Sequence, residues 1–454
     1  MVFKFWVLAL ASAAAGFACN ASAQSIPDTP QTAVPPVQTS NWQGLEPGVL
    51  VETHPAGATS QVAGAAQALF VRYTTRNVQG EPALASGLVL LPQNQPHPDG
   101  QWPLVVYGHM TTGVADACAP THGSEDSSEL RRMQQGDSLA SELLARGVVV
   151  ARPDYEGLGE AGPHPYLRGD SLARAMRDMA SAVAAQWPQI GPNWAAAGHS
   201  EGGVAALNSG NRLHPPARGL HLAAVAAITP VTQLENLITA AEPLPLTGPA
   251  IDVAVALAAL VLKGIASVDP DFERFLLLEG GLSEQAVALW PDLERLCLQD
   301  LASAESWGGL SPHALQGPNG DQGVAEMRSA LHKDDVRLLP MRRDLPIRID
   351  AGLLDSVALI PFTEQLVMEY RQRGYDVTYA RWPAEHSPTA DMAAPAIAQW
   401  LMEQAFDPAR MATPAHTDAL ASRGGVSSPL TLFLLTLTAL ASRRRLITIR
   451  RTGA

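Results

Sequence analysis

Cysteine is scarce in this chain: three residues in 454, Cys19, Cys118 and Cys297. No CxxC pair, no HExxH and no two histidines at ligand spacing accompany them. A zinc site is therefore not expected, and no residue pattern calls for a metal or any other cofactor. Basic clusters are also missing from the body of the chain, whose formal net charge is −13. Such an acidic surface argues against nucleic acid and anionic membranes as partners. There is no repeat of 20 to 50 residues, which excludes solenoids and propellers. Proline and glycine, 36 and 37 residues, stay below the level of a low-complexity chain. What remains is a long chain with 46% apolar residues, enough for one large core.

Both ends carry targeting signals. Lys4 precedes an apolar run at residues 5–17, and Ala21-Ser22-Ala23 fits a small-x-small cleavage site, so residues 1–23 read as a signal peptide cut before Gln24. Residues 24–47, rich in Pro, Gln, Thr and Ser, read as a flexible leader. At the other end Gly424-Gly425 leads into an apolar stretch at 429–441, then Arg443-Arg444-Arg445 and Arg450-Arg451. The stretch is short for a free-standing span, and the arginines would hold it on the cytoplasmic side. Residues 424–454 read as a sorting tail that attaches the protein transiently to the membrane and is cut near the Gly-Gly pair. The chain is thus expected to be exported to the medium or the cell surface. Without both segments Lys4 and five arginines are lost and no acid is, so the net charge moves by six, from −13 to −19. Cys19 leaves with the signal. The two remaining cysteines in an exported protein suggest one disulfide, the alternative being two separate buried thiols.

Residues 48–410 alternate apolar strand-like runs with helix-period segments. Strands are expected at 68–74, 87–91, 103–107, 147–151, 194–198, 222–228, 347–351 and 377–381. Helices are expected at 171–187, 201–207, 362–373 and 394–403. Continuously apolar strands alternating with helices imply a mostly parallel sheet flanked by helices, an α/β architecture. Residues 232–342 break the alternation, with helices and loops but no strand, and read as a helical cap inserted over a pocket mouth. Within them the apolar run at 250–266 is interrupted by Asp252 and Lys263, too short and too charged to span a membrane.

The chemistry-bearing motif is Gly198-His199-Ser200-Glu201-Gly202. An apolar strand runs into it and a helix opens directly after, the strand–turn–helix in which a nucleophilic serine sits on a strained turn. Ser200 is the expected nucleophile. His199 reads as a packing or turn residue, since adjacent side chains point apart. In the chain order of this architecture the acid follows, then the histidine, on later strand ends. Asp355, just after the strand at 347–351, is preferred over Asp350, which lies within it. His386 follows the next strand on a loop, whereas His416 lies in the polar run toward the tail. His386 would take the Ser200 proton, and Asp355 would fix its tautomer and stabilise the imidazolium. The oxyanion hole needs two backbone N–H groups. One is expected from Glu201, after the nucleophile. The other should come from the loop Gly108-His109-Met110-Thr111-Thr112-Gly113, with Thr111 and Gly113 as candidates.

These residues together resemble the secretory lipase family of α/β-hydrolases. The resemblance spans roughly residues 48–406. It rests on His109-Met110-Thr111-Thr112-Gly113 leading into Cys118-Ala119-Pro120, on Asp154-Tyr155-Glu156-Gly157-Leu158-Gly159, on Gly198 to Gly203, and on the Asp355 and His386 segments. It implies a cap before the acid-bearing strand and a disulfide tying the oxyanion-side loop to it, here Cys118 to Cys297. Two departures stand out: Met110 replaces the glycine usual in that loop, and Pro361 is displaced from Asp355. The function implied is hydrolysis of a small-molecule or lipid carboxylic ester through an acyl-enzyme. A triad does not set its substrate, so acylated sugars and peptides are the alternative substrates, and a non-catalytic surface binding protein on the same scaffold is a third reading.

Overall fold

A computed structural model describes residues 41–93 and 101–407. The expected signal peptide, most of the leader and the C-terminal tail lie outside these residues. Nine strands form one sheet: β1 (Leu50–Pro55), β2 (Ala65–Arg76), β3 (Pro82–Pro92), β4 (Trp102–Gly108), β5 (Val149–Pro153), β6 (Ile190–His199), β7 (His221–Ile228), β8 (Ile347–Gly352) and β9 (Val377–Trp382). Their order is β1-β2-β3-β5-β4-β6-β7-β8-β9. The first three pair antiparallel, β3 meets β5 antiparallel, and every pairing from β5 to β9 is parallel. All eight expected strands are present, within a few residues at each end. The additional strand is β1, whose Glu52, Thr53 and His54 make it too polar to read as a buried strand.

The connections are helical. α1 (Leu130–Met133) and α2 (Asp137–Leu144) lie between β4 and β5, α3 (Gly169–Gln186) between β5 and β6, and α4 (Glu201–Ser209) after β6. Six helices separate β7 from β8: α5 (Leu234–Ala241), α6 (Pro249–Ala266), α7 (Pro270–Leu278), α8 (Glu284–Leu289), α9 (Leu298–Leu301) and α10 (Gly320–Lys333). α11 (Ile360–Gln372) joins β8 to β9, and α12 (His386–Ala405) follows β9.

Successive strand residues point to opposite faces, and both faces are covered. On one, Val105, Val150, Ala195 and Ala197 pack with Leu139 and Leu143 of α2 and Ile397 and Leu401 of α12. On the other, Leu104, Val106, Val149 and Ala196 meet Met176 and Met179 of α3 and Val204 and Leu207 of α4. This double burial is why the central strands are apolar throughout rather than alternating. No helix among the described residues is long and apolar enough to cross a membrane. The apolar α6 instead buries Val255, Ala256, Ala259 and Leu260 within the protein.

Candidate active site

The parallel strands deliver their C-terminal ends to one edge of the sheet, where α/β folds bind ligands. β6 ends at His199 and α4 begins at Glu201, leaving Ser200 alone in the turn with φ +58° and ψ −115°. That is strained backbone for a residue with a Cβ, and it is held by neighbours that leave no space. A Cβ on Gly202 would stand 1.9 Å from the Gly108 carbonyl oxygen, and one on Gly198 would stand 2.1 Å from that of Gly202. Only glycine allows β4, β6 and α4 to meet so closely. The backbone N–H of Glu201, in the first turn of α4, is one of the helix's donors without an intrahelical partner.

His386 opens α12 instead of lying in the expected loop. Pro388 falls in the first turn of that helix, where a proline's missing N–H has no intrahelical acceptor. His386 Nδ1 lies 2.8 Å from Asp355 Oδ2. Asp355 Oδ1 accepts the N–H groups of Val357 and Ala358, each at 2.8 Å, so the carboxylate is fixed before it meets the imidazole. The lengthened turn before Pro361 supplies these two donors. Asp350, the competing acid, is turned elsewhere: Arg348 donates to both its oxygens and Trp382 Nε1 donates to Oδ1. His199 is fully buried, its Nε2 is 3.1 Å from the His386 carbonyl oxygen, and its ring lies 4.9 Å from the His386 ring. Burial, with the nearby His386, holds its pKa well below the usual value, so it packs as a neutral ring.

Ser200 and His386 share the wall of a cavity of about 530 Å³. Among the described residues they line it without a hydrogen bond to each other, which a bound substrate would bring into line. Met110 and Thr111 line it beside them, and so do Leu234 and Ile238 of α5, Leu257, Val261 and Leu262 of α6, and Met327 and Leu331 of α10. The helices between β7 and β8 thus supply much of the lining of a largely apolar chamber onto which Ser200 opens.

The two oxyanion-loop candidates part company. Thr111 faces the cavity and shares a 2.9 Å hydrogen bond with the Tyr166 hydroxyl. Gly113 lies behind it, bridging to Cys297, with φ +148°. A Cβ there would sit 2.6 Å from Cys118 Sγ. Cys118 and Cys297 form a disulfide across 179 residues, and Thr112 O accepts the Leu298 N–H at 2.8 Å. Loop and inserted helices are thereby stitched together.

The Asp154–Gly159 segment, one of the motifs that carry the family resemblance, is tied into the loop at the end of β4. The Tyr155 hydroxyl donates to the His109 carbonyl at 2.9 Å, inside the Gly108 to Gly113 loop. Asp154 accepts from Ser86 and Thr121, and Glu156 from Ser171 and the Val78 N–H. Gly157 is required because a Cβ would lie 2.3 Å from the Pro163 backbone. His164 went unnoticed. It contacts Glu201, and nothing in their sequence separation marks the pair.

Strand order, sharp serine turn and histidine–carboxylate pair after the last two strands define an α/β-hydrolase. The secretory lipase model matches residues 126–409, and the chain belongs to that family. It is a carboxylic-ester hydrolase of the lipase and esterase kind. No curated protein sequence matches the chain. Lipase A from Candida antarctica in its closed state superimposes with a TM-score of 0.66 at 17% identity, covering 81% of this chain and 84% of that one. The rice cell wall degrading esterase LipA from Xanthomonas oryzae, in a ligand-bound form, gives 0.59 at 20% identity, covering 80% and 99%. A putative hydrolase from Legionella pneumophila gives 0.61 at 19% identity, covering 78% and 98%. At these identities the likeness is one of fold.

Proposed function

We propose that Ser200 is the nucleophile, His386 its general base, Asp355 the group that orients His386, and the N–H groups of Glu201 and Thr111 the oxyanion hole. With Nδ1–H donated to Asp355, His386 Nε2 is free to take the Ser200 proton as Oγ attacks the ester carbonyl. The tetrahedral oxyanion is held by the two N–H groups. Its collapse expels the alcohol, which takes its proton from His386, and water then repeats the cycle on the acyl-enzyme. The observation that carries this reading is that Ser200, His386 and Thr111 all line one largely apolar chamber. The chamber also supports a fatty acyl chain as the acid portion, with residues 232–342 acting as a cap.

Initial rates on p-nitrophenyl esters from acetate to palmitate, with Ser200→Ala as control, test this. The reading expects activity to rise toward long chains and to vanish in the variant. Full activity in the variant rejects Ser200, and a peak at acetate rejects the acyl chamber.

Membership in a secretory family supports export, in keeping with the signal at residues 1–23. The tail at 424–454 acts on this reading as a transient membrane attachment removed near Gly424-Gly425. Mass spectrometry of the exported protein tests it: a C-terminus near residue 424 is the expected result, and an intact Ala454 rejects the cleavage.

A further inference from the structure

Behind the proposed nucleophile lies a pair of titratable side chains that ester cleavage leaves unused. Glu201 and His164 are each 1% exposed, with Glu201 Oε1 3.1 Å from His164 Nε2. The other ring nitrogen, Nδ1, is 2.8 Å from the Glu156 carbonyl oxygen. A carbonyl can only accept, so Nδ1 carries a hydrogen and donates it. A neutral imidazole has just one N–H. Nε2 and a carboxylate oxygen would then confront each other as two acceptors unless a second proton lies between them. The couple therefore holds that proton and is neutral overall. Glu201 sits in the first turn of α4, where the helix dipole favours an anion, which puts the proton on His164.

The groups facing the couple do not replace that positive charge. His109, stacked on Tyr155 at 4.3 Å, has its Nδ1 2.7 Å and its Nε2 3.3 Å from the Met110 and Asp154 carbonyl oxygens, but burial lowers its pKa against the pull of Glu201 and these carbonyls. Tyr155 and Tyr166 are pushed up by burial and stay phenols. The carboxyl of Glu156 is raised by burial and engaged by Ser171 and Val78. Yet the backbone N–H of Glu201 is the group proposed to meet the oxyanion. An unbalanced carboxylate on the same residue, shielded from water, would oppose the negative charge that this N–H is there to stabilise.

We propose that His164 is a positioning residue for the oxyanion site, its imidazolium, anchored through Nδ1 on the Glu156 carbonyl, balancing and holding the buried carboxylate of Glu201. This rests on Ser200 being the nucleophile. The test is kcat and KM against pH for His164→Gln and for His164→Gln combined with Glu201→Gln. The single variant loses on the order of tenfold in kcat at pH 8 with KM little changed. Its deficit shrinks as the pH falls. The double variant recovers most of the lost kcat and sheds the added pH dependence. If His164 only fills space, neutralising Glu201 repairs nothing and the proposal falls.

Fluorophosphonate labelling separates the two layers. Wild type unlabelled at Ser200 rejects the nucleophile, whereas labelled variants without rescue reject the role of His164. Should His164→Gln not fold, histidine ¹⁵N resonances of the wild type decide, with His164 assigned by comparison with Glu201→Gln. Both ring nitrogens protonated at pH 8 is the expected result, and a neutral His164 ring overturns the proposal.

Discussion

Asp355 grips His386 with one oxygen, Oδ2 to Nδ1 at 2.8 Å, and with the other takes two backbone N–H groups from its own turn. The imidazole is thus held as the tautomer whose Nε2 can accept a proton. Asp355→Asn keeps the shape but offers an amide in place of the carboxylate. We expect kcat on a p-nitrophenyl ester to fall by about 10³- to 10⁴-fold, with KM and melting temperature little changed. Retention of more than a tenth of wild-type kcat would assign the acid elsewhere.

Asp350 predicts the opposite pattern. It is fully buried, with Arg348 Nε at 2.7 Å and the Trp382 indole N–H at 2.8 Å. Asp350→Asn leaves the guanidinium of the buried Arg348 without its counter-charge. Breaking a buried pair in this way costs about 3–5 kcal/mol. Urea unfolding should show that loss, while kcat measured well below the new midpoint stays within a few-fold of wild type. A large fall in kcat at full stability would make Asp350 part of the chemistry.

The contrast between these aspartates marks where the sequence stops being informative. The serine turn was legible because its glycines answer a local steric demand: Gly202 against Gly108 admits no Cβ. Buried strands were legible because burial on both faces makes them apolar throughout. Choosing between Asp355 and Asp350 turns on the direction of each side chain, which sequence order alone does not carry: Asp355 meets His386, whereas Asp350 meets Arg348 and Trp382. α12 starts eight residues before the helix expected at 394–403, because its first turn accommodates Pro388, whose missing N–H has no intrahelical acceptor there. Thr111 and Gly113 could not be separated, since both suit a tight loop and only the disulfide behind Gly113 distinguishes them. His164 was illegible altogether. Its partner Glu201 is 37 residues away, and no helical or strand period links such positions.

Gly113 predicts how far the disulfide matters to the oxyanion loop. Its φ of +148° disfavours any side chain, and an alanine Cβ would come within 2.6 Å of Cys118 Sγ. Gly113→Ala should lower both the melting temperature and kcat, because the loop carrying Thr111 must shift. Replacing both cysteines by serine removes a link across 179 residues, the kind of cross-link typically worth about 2–4 kcal/mol. If reduction leaves kcat and stability untouched, the stitched loop is not what positions Thr111.

Glu129 makes stability depend on pH in a direction unusual for a carboxylate. It is fully buried, accepts the Gln299 N–H at 2.8 Å beside the disulfide, and has Arg132 Nε at 3.2 Å in poor hydrogen-bonding alignment. Burial pushes its pKa up to about 7 against the pull of the Gln299 N–H and Arg132, and nearby Asp300 pushes it the same way. The folded state therefore binds this proton more tightly than the unfolded chain does. Its stabilising effect is complete below the ordinary carboxyl range and is lost as pH rises toward about 7. Each pH unit in that window removes about 1.4 kcal/mol, and above it the contribution is flat. Glu129→Gln keeps an acceptor for Gln299 without a charge to bury. Urea unfolding at pH 5 and pH 8 should show wild type losing about 2–3 kcal/mol more than the variant across that interval. Parallel losses in the two proteins would mean that Glu129 stays ionised in the fold, with Arg132 compensating its burial.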